Sequence, residues 1–277
     1  MLYESTTTFI NYKRSRGCTD STCTTYRYIL DDFIEFTGDI ALESLTINLI
    51  DLYVNTLQSV GLKPKTIYSR LAVIRSLVLY LYSRDLTNIR PQAVELPKLA
   101  DTEANYLLPD EQTRLLSVID NQRDKAVIHT LISSGLRVSE LANLLYDDIE
   151  NKSIVVRKGN GQKHRVTFIT EACRSCISAY LSSKPRTVYL FTNLQGDPLS
   201  RQFIYKIVKQ YALKAGIEKE ISPHTLRHTF ATNLLRNGAR VETVQPLMGH
   251  ANIQTTLIYA HFTNPYLQSE YDKFSTV

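Results

Sequence analysis

Apolar residues recur at helical spacing through residues 1 to about 90. In STCTTYRYILDDFIEFTG, Tyr26, Leu30, Phe33 and Phe36 fall along one face, and Gly38 supplies a C-terminal stop. TINLIDLYVNTLQSVG repeats the pattern, opening at Thr46 and closing at Gly61. TIYSRLAVIRSLVLYLYSRDL reads as a third helix, more apolar than the others, and so as the centre of a bundle or a contact with another domain or protomer. The pattern then breaks at PQAVELPKLADTEAN, where two prolines and few large apolar side chains predict a linker over residues 91–105.

From Leu107 the pattern is mixed. A helix opens at Pro109, and another precedes Ser134-Gly135, a turn or helix boundary. Leu136, Leu141, Leu144 and Leu145 then predict a helix entering the core, with Arg137 in its first turn. Ile154-Val155-Val156 and Val166-Thr167-Phe168-Ile169 flank a Gly159-Asn160-Gly161 turn, the signature of a β-hairpin. A helix near 171–182, a short strand at Val188–Phe191 and further helices follow. The expected fold class is mainly α with a small β-sheet: a helical bundle over 1–90, the linker, and a mixed α+β domain over 106–277 ending in a tail. No internal repeat or low-complexity tract interrupts this order.

At 277 residues with 43% hydrophobic content, the chain can bury sizeable cores in one or two domains. Net charge is only +5, but residues 137–240 carry 17 Lys plus Arg against 8 Asp plus Glu, so the remainder is net negative. That excess suits a face that meets a nucleic-acid backbone, although solubility alone produces similar numbers. Lys63, Lys65, Arg70, Arg75 and Arg84 add cations to the bundle, either directed at phosphates or simply solvated. No apolar run approaches membrane-spanning length and the amino terminus lacks the apolar core of a secretory signal, so a soluble cytoplasmic chain is expected. Cys18, Cys23, Cys173 and Cys176 fit reduced thiols there. Cys173 and Cys176 have a metal-like spacing but no matching His or Cys pair nearby, so no metal is expected.

The densest chemistry lies in the last quarter. His224 and Arg227 are three apart in HTLRHTFATNLLRNG, where Leu226, Phe230, Leu234 and Leu235 mark the apolar positions; on a helix the two share one edge. Arg presents a permanently charged fork of donors and His a donor or proton acceptor, a pairing suited to an oxyanion. His250 and Tyr259 follow. A phenol is a weak nucleophile until strong donors surround its target, so the set suggests covalent attack on a phosphate. Taken singly, each residue also fits a surface, capping or packing role; the sequence holds 17 Tyr. Upstream, Glu140 lies one turn from Arg137 and either orients an active-site group or forms a plain intrahelical ion pair on a solvated face. Lys158 at the hairpin tip can reach into a cleft and deliver a proton, with Lys163 as the local competitor.

In this order, SGLRVSEL, KGNGQKHRV, HTLRHTFATNLL, LMGHANIQTT and LIYAH resemble the boxes of the tyrosine recombinase (phage integrase) family over most of the chain, with nine residues from His250 to Tyr259. The resemblance implies a SAM-like core-binding bundle and a catalytic domain that clamp duplex DNA in a C shape. It implies Tyr259 as nucleophile, Arg137 and Arg227 on the non-bridging oxygens, Lys158 as general acid, His224 assisting proton transfer, His250 donating to phosphate and Glu140 in support. No cofactor is implied, because the phosphotyrosyl bond conserves the energy of the phosphodiester.

The implied partners are a double-stranded recombination site, three further copies of the chain in a tetramer on two sites, and, as optional additions, accessory DNA-binding proteins; no membrane is involved. The tail, with Tyr266, Leu267 and Tyr271, either docks on a neighbouring protomer or folds back on its own domain. Length leaves no room for an arm-binding domain, so simple Xer-type recombinases and transposon resolvases resemble the chain better than large phage integrases do. Resolution of dimers or cointegrates is the first expectation and integration or excision of a mobile element the second. A type IB topoisomerase and a DNA-binding protein without catalysis are the remaining readings.

Overall fold

The computed structural model describes residues 1–99, 105–157, 163–183 and 186–249, with the backbone alone at 163 and 164. The turn at Gly159-Asn160-Gly161, Lys158, the Lys163 side chain, His250, Tyr259 and the tail lie outside the described residues. The chain divides into two compact units, Met1–Asp101 and Thr102–Val277.

The first unit is a bundle of α1 (Leu2–Ser15), α2 (Asp20–Thr37), α3 (Ile47–Ser59) and α4 (Pro64–Tyr82). Gly38, at φ 73°, ends α2, and the Thr46 hydroxyl caps α3 by accepting from the Leu49 amide. α4 is the central helix, burying Ile67, Leu71, Val73, Ile74, Leu77, Val78, Tyr80 and Leu81. α1 is an addition to the expected elements: its run of threonines weakens the helical pattern, and burial of Leu2, Phe9 and Ile10 supplies the stability that propensity does not.

Two of the bundle's candidate phosphate cations are used internally. Arg70 donates to the Asp32 carboxylate and the Tyr53 hydroxyl, and the Arg84 guanidinium lies 3.8 Å from the Tyr80 ring centroid.

The second unit is built on α6 (Gln122–Ser134), whose Ala126, Val127, Ile128 and Leu131 are fully buried. Against α6 pack α5 (Pro109–Ser117), α8 (Glu171–Ser182), α9 (Arg201–Lys214) and α10 (Pro223–Arg236). The antiparallel sheet has three strands in the order β1 (Ile149–Glu150), β2 (Ser153–Arg157), β3 (Lys163–Phe168). Its inner face differs from the apolar run expected at 166–169. Arg165 and Thr167 point inward in phase with Ile169, while Phe168 is 57% exposed.

Two other elements are shorter than expected. The helix after Gly135, α7, covers only Val138–Ala142, with Arg137 as its N-cap; Leu144 and Leu145 lie beyond its end. The segment Val188–Phe191 forms a single bridge, Leu145↔Tyr189, because its partner is a short stretch between α7 and a 3-10 turn. The last described helix, α11 (Val241–Met248), ends at Gly249 in the left-handed conformation. Among the described residues no helix is long and apolar enough to cross a membrane.

Candidate active site

Three segments converge on the C-terminal end of α11. The first is the junction of α6 and α7. Gly135 ends α6 at φ 63°, with the position of an added Cβ only 2.3 Å from Cδ1 of Phe230 on α10, so glycine is required by both conformation and space. Two residues on, the Arg137 backbone amide donates to Glu140 Oε2 at 2.7 Å, half of a capping box that fixes the start of α7. The Arg137 guanidinium donates to Glu140 Oε1 at 3.0 Å and to the Gly249 carbonyl at 2.9 Å. Its other N–H groups take no partner among the described residues.

The second segment is α10, opened by Ser222 as N-cap and Pro223 in the first turn. His224 and Arg227 share an edge as their spacing required. His224 is exposed, whereas Arg227 is 4% exposed and donates to the carbonyls of Gly135 and Met248. Partial burial, then the charges of Arg227 and Arg137, lower the His224 pKa. Burial lowers that of His228 further, to about 4, helped by His224 and Arg227. Both shifts favour the neutral imidazole over the charged one.

The third segment is β3, which contributes a residue that the sequence reading passed over. The Arg165 side chain, 6% exposed, forms a two-pronged pair with Glu140, Nη1 to Oε1 and Nη2 to Oε2, both at 2.7 Å. Its Nε donates to the Leu247 carbonyl at 2.9 Å. Glu140 is thus no solvated surface partner: its side chain is 14% exposed and accepts from two arginines. Burial would raise its pKa, but the hydrogen bonds and charge of Arg165, then those of Arg137, outweigh it and hold the carboxyl at about 2. The signal in the sequence was alternation alone: Arg165, Thr167 and Ile169 fall on one side of the chain at strand spacing, and the structure places that side inward, with Arg165 opposite Val156.

Arg137, Glu140, His224 and Arg227 are therefore brought together, with Arg165 added; Lys158, His250 and Tyr259 are outside the described residues. Three guanidiniums against one carboxylate leave the cluster net positive and suited to an oxyanion. Among the described residues no group of three or more His, Cys, Asp or Glu is arranged to hold a metal ion. Cys173 is buried and bonds Thr130, while Cys176 is partly exposed.

Comparison with known proteins bears on what this cluster does. The phage integrase family model matches residues 105–264, and the model of the phage integrase N-terminal SAM-like domain matches residues 6–88. A tyrosine recombinase XerD of Listeria innocua is 37% identical, covering 77% of each chain. A tyrosine recombinase XerC of Thermodesulfovibrio yellowstonii is 31% identical over 96% of this chain and 94% of its own. Among solved structures, a Tn1549 transposon integrase in complex with circular intermediate DNA has the same fold, with a TM-score of 0.77 at 22% identity over 96% of this chain and 98% of that one. The arginine cluster thus sits inside the matched catalytic region, and the chain belongs to the phage integrase family as a Xer-like tyrosine recombinase, a site-specific DNA recombinase.

Proposed function

We propose that Tyr259 attacks a DNA phosphodiester, giving a 3'-phosphotyrosyl enzyme and a free 5'-hydroxyl, and that strand exchange then passes through a Holliday junction. The observation that carries this is the convergence of Arg137 and Arg227 beside His224 in a net positive cluster. The two guanidiniums oppose the charge that grows on the pentacoordinate phosphorus, and loss of one such donor costs roughly 3 kcal/mol of barrier, about a hundredfold in rate. His224 assists proton transfer at the phenol. Lys158 protonates the 5'-oxygen leaving group, and His250 donates to a non-bridging oxygen. Glu140 supports Arg137 without reacting.

The residues 1–90 bundle serves as the core-binding domain and residues 106–277 as the catalytic domain, joined by the linker over 91–105. The Xer relatives favour resolution of dimers or cointegrates by a tetramer on two sites; a cytoplasmic setting, a tail that docks on a neighbouring protomer and accessory DNA-binding proteins complete the proposal.

Sequencing of DNA protected by the purified protein yields the site; the Tyr259→Phe variant is then offered that duplex. Expected is loss of the covalent adduct on a denaturing gel with binding nearly intact. An adduct formed by Tyr259→Phe removes Tyr259 as nucleophile. Relaxation of plasmid lacking the site, with no requirement for two sites, supports a topoisomerase instead.

A further inference from the structure

Three consecutive carbonyls at the end of α11 each accept from a different arginine. Leu247 takes Arg165, Met248 takes Arg227 and Gly249 takes Arg137; the next residue in the chain is His250. Arg137 and Arg227 both have roles in the proposed chemistry, but Arg165 has none: both prongs of its fork are taken by the Glu140 carboxylate, an anion already in the place a phosphate would need. We infer that Arg165 is a positioning residue for DNA cleavage, balancing the charge of Glu140 so that Arg137 keeps its aim and its field at the scissile phosphate; this rests on the reading that Arg137 holds that phosphate.

The hydrogen-bond count at Glu140 carries the inference. Each carboxylate oxygen accepts twice: Oε1 from Arg137 Nη1 and Arg165 Nη1, Oε2 from the Arg137 amide and Arg165 Nη2. Arg137 meets the carboxylate with one prong only, because Arg165 occupies the two-pronged position. Without Arg165, a buried anion is left with half its donors, and the nearest charge able to satisfy it is the Arg137 guanidinium. That guanidinium then pairs with Glu140 and loses both its direction toward a substrate oxygen and much of its field there.

Arg165 also fixes the backbone on the other side of Arg137. It holds the Leu247 carbonyl and packs against Gly249, where an added Cβ would stand 2.8 Å from Nη1. Both the acid partner and the main-chain partner of Arg137 are thus set by one buried side chain. A lysine supplies the charge but not the fork, so it restores only part of the arrangement.

The test is single-turnover adduct formation on a nicked synthetic duplex carrying the site recovered by protection sequencing, with either the natural phosphodiester or a methylphosphonate at the cleaved position. The methyl group removes the phosphate's negative charge and with it the need for Arg137. Arg165→Met and Arg165→Lys are compared with wild type and Arg137→Ala, with far-UV circular dichroism confirming the fold. Expected for Arg165→Met is a loss of roughly 30-fold on the phosphodiester, with DNA affinity within about twofold and a deficit below about threefold on the methylphosphonate. Arg165→Lys gives an intermediate loss with the same rescue, and serves alone if the Met variant does not fold.

Equal deficits on both substrates, or wild-type rates from Arg165→Lys, overturn the inference while leaving the recombinase mechanism in place. No adduct from the wild-type protein, or full activity from Arg137→Ala, overturns the mechanism on which the inference rests.

Discussion

Replacing Glu140 by glutamine removes one charge at nearly constant shape and tests the electrostatics of the cluster directly. The carboxyl is held at about 2 against an ordinary 4.5, so its charged form is favoured in the folded chain by about 3 kcal/mol. Because the folded carboxyl titrates below the unfolded one, this contribution is complete above about pH 5 and is lost as pH falls toward 2; by pH 3 roughly two-fifths remains. The substituted amide contributes nothing of this kind and turns one N–H toward the donors of Arg165 or Arg137.

Glu140→Gln should therefore be less stable than wild type by about 3 kcal/mol at pH 7, and the gap should narrow below pH 5. The chain has no Trp, and its 17 Tyr lie in both units, so a bulk unfolding curve mixes the two. Amide hydrogen exchange along α6, buried in the catalytic unit, isolates the relevant transition when followed in urea at pH 7, 5, 4 and 3. A gap that stays constant from pH 7 to pH 3, or no gap at pH 7, refutes the account of Glu140 as an anion stabilised by Arg165 and Arg137.

Two further outcomes follow from the site and its frame. Gly135→Ala should cost about 2–4 kcal/mol, combining left-handed backbone strain with a Cβ driven into the Phe230 ring, whereas Gly17→Ala, with a positive φ but open space around it, should cost only about 1–2 kcal/mol; equal losses by amide hydrogen exchange in urea, read along α6 for Gly135 and along α2 for Gly17, would remove the packing argument. Lys158→Ala should cleave slowly on ordinary DNA and recover when sulfur replaces the 5'-bridging oxygen, because a thiolate leaves without a proton; equal impairment on both substrates in a single-turnover assay takes Lys158 out of the general-acid role.

Local signals in the sequence were enough for much of this. Gly38, Thr46 and Pro109 mark helix ends through chemistry confined to a few residues, and the three-residue step from His224 to Arg227 places both on one edge of α10. The Arg137–Glu140 step was equally legible, but not its burial: the same spacing serves a solvated ion pair, and only β3, 25 residues away, converts it into a closed cluster. Arg165 was obscured because Val166 and Phe168 suggest the opposite strand face. α1 was obscured because its face has few large apolar residues among threonines, and its stability comes from helices that reach it only in the folded bundle.

The end of α11 explains why a site for anions needs so many cations before any substrate arrives. The final carbonyls of a helix carry partial negative charge, and here two of them point at the guanidiniums that the proposed chemistry uses. Bonding to these carbonyls fixes Arg137 and Arg227 in place at the expense of some N–H groups. Glu140 fixes Arg137 from a second direction at the expense of a charge, and Arg165 returns that charge. Arg137 is left anchored through two atoms with N–H groups to spare among the described residues, which is the condition under which a donor stabilises a transition state without reorganising at the moment of reaction. An arginine on an unbraced loop would carry the same charge and spend part of its interaction energy on being ordered.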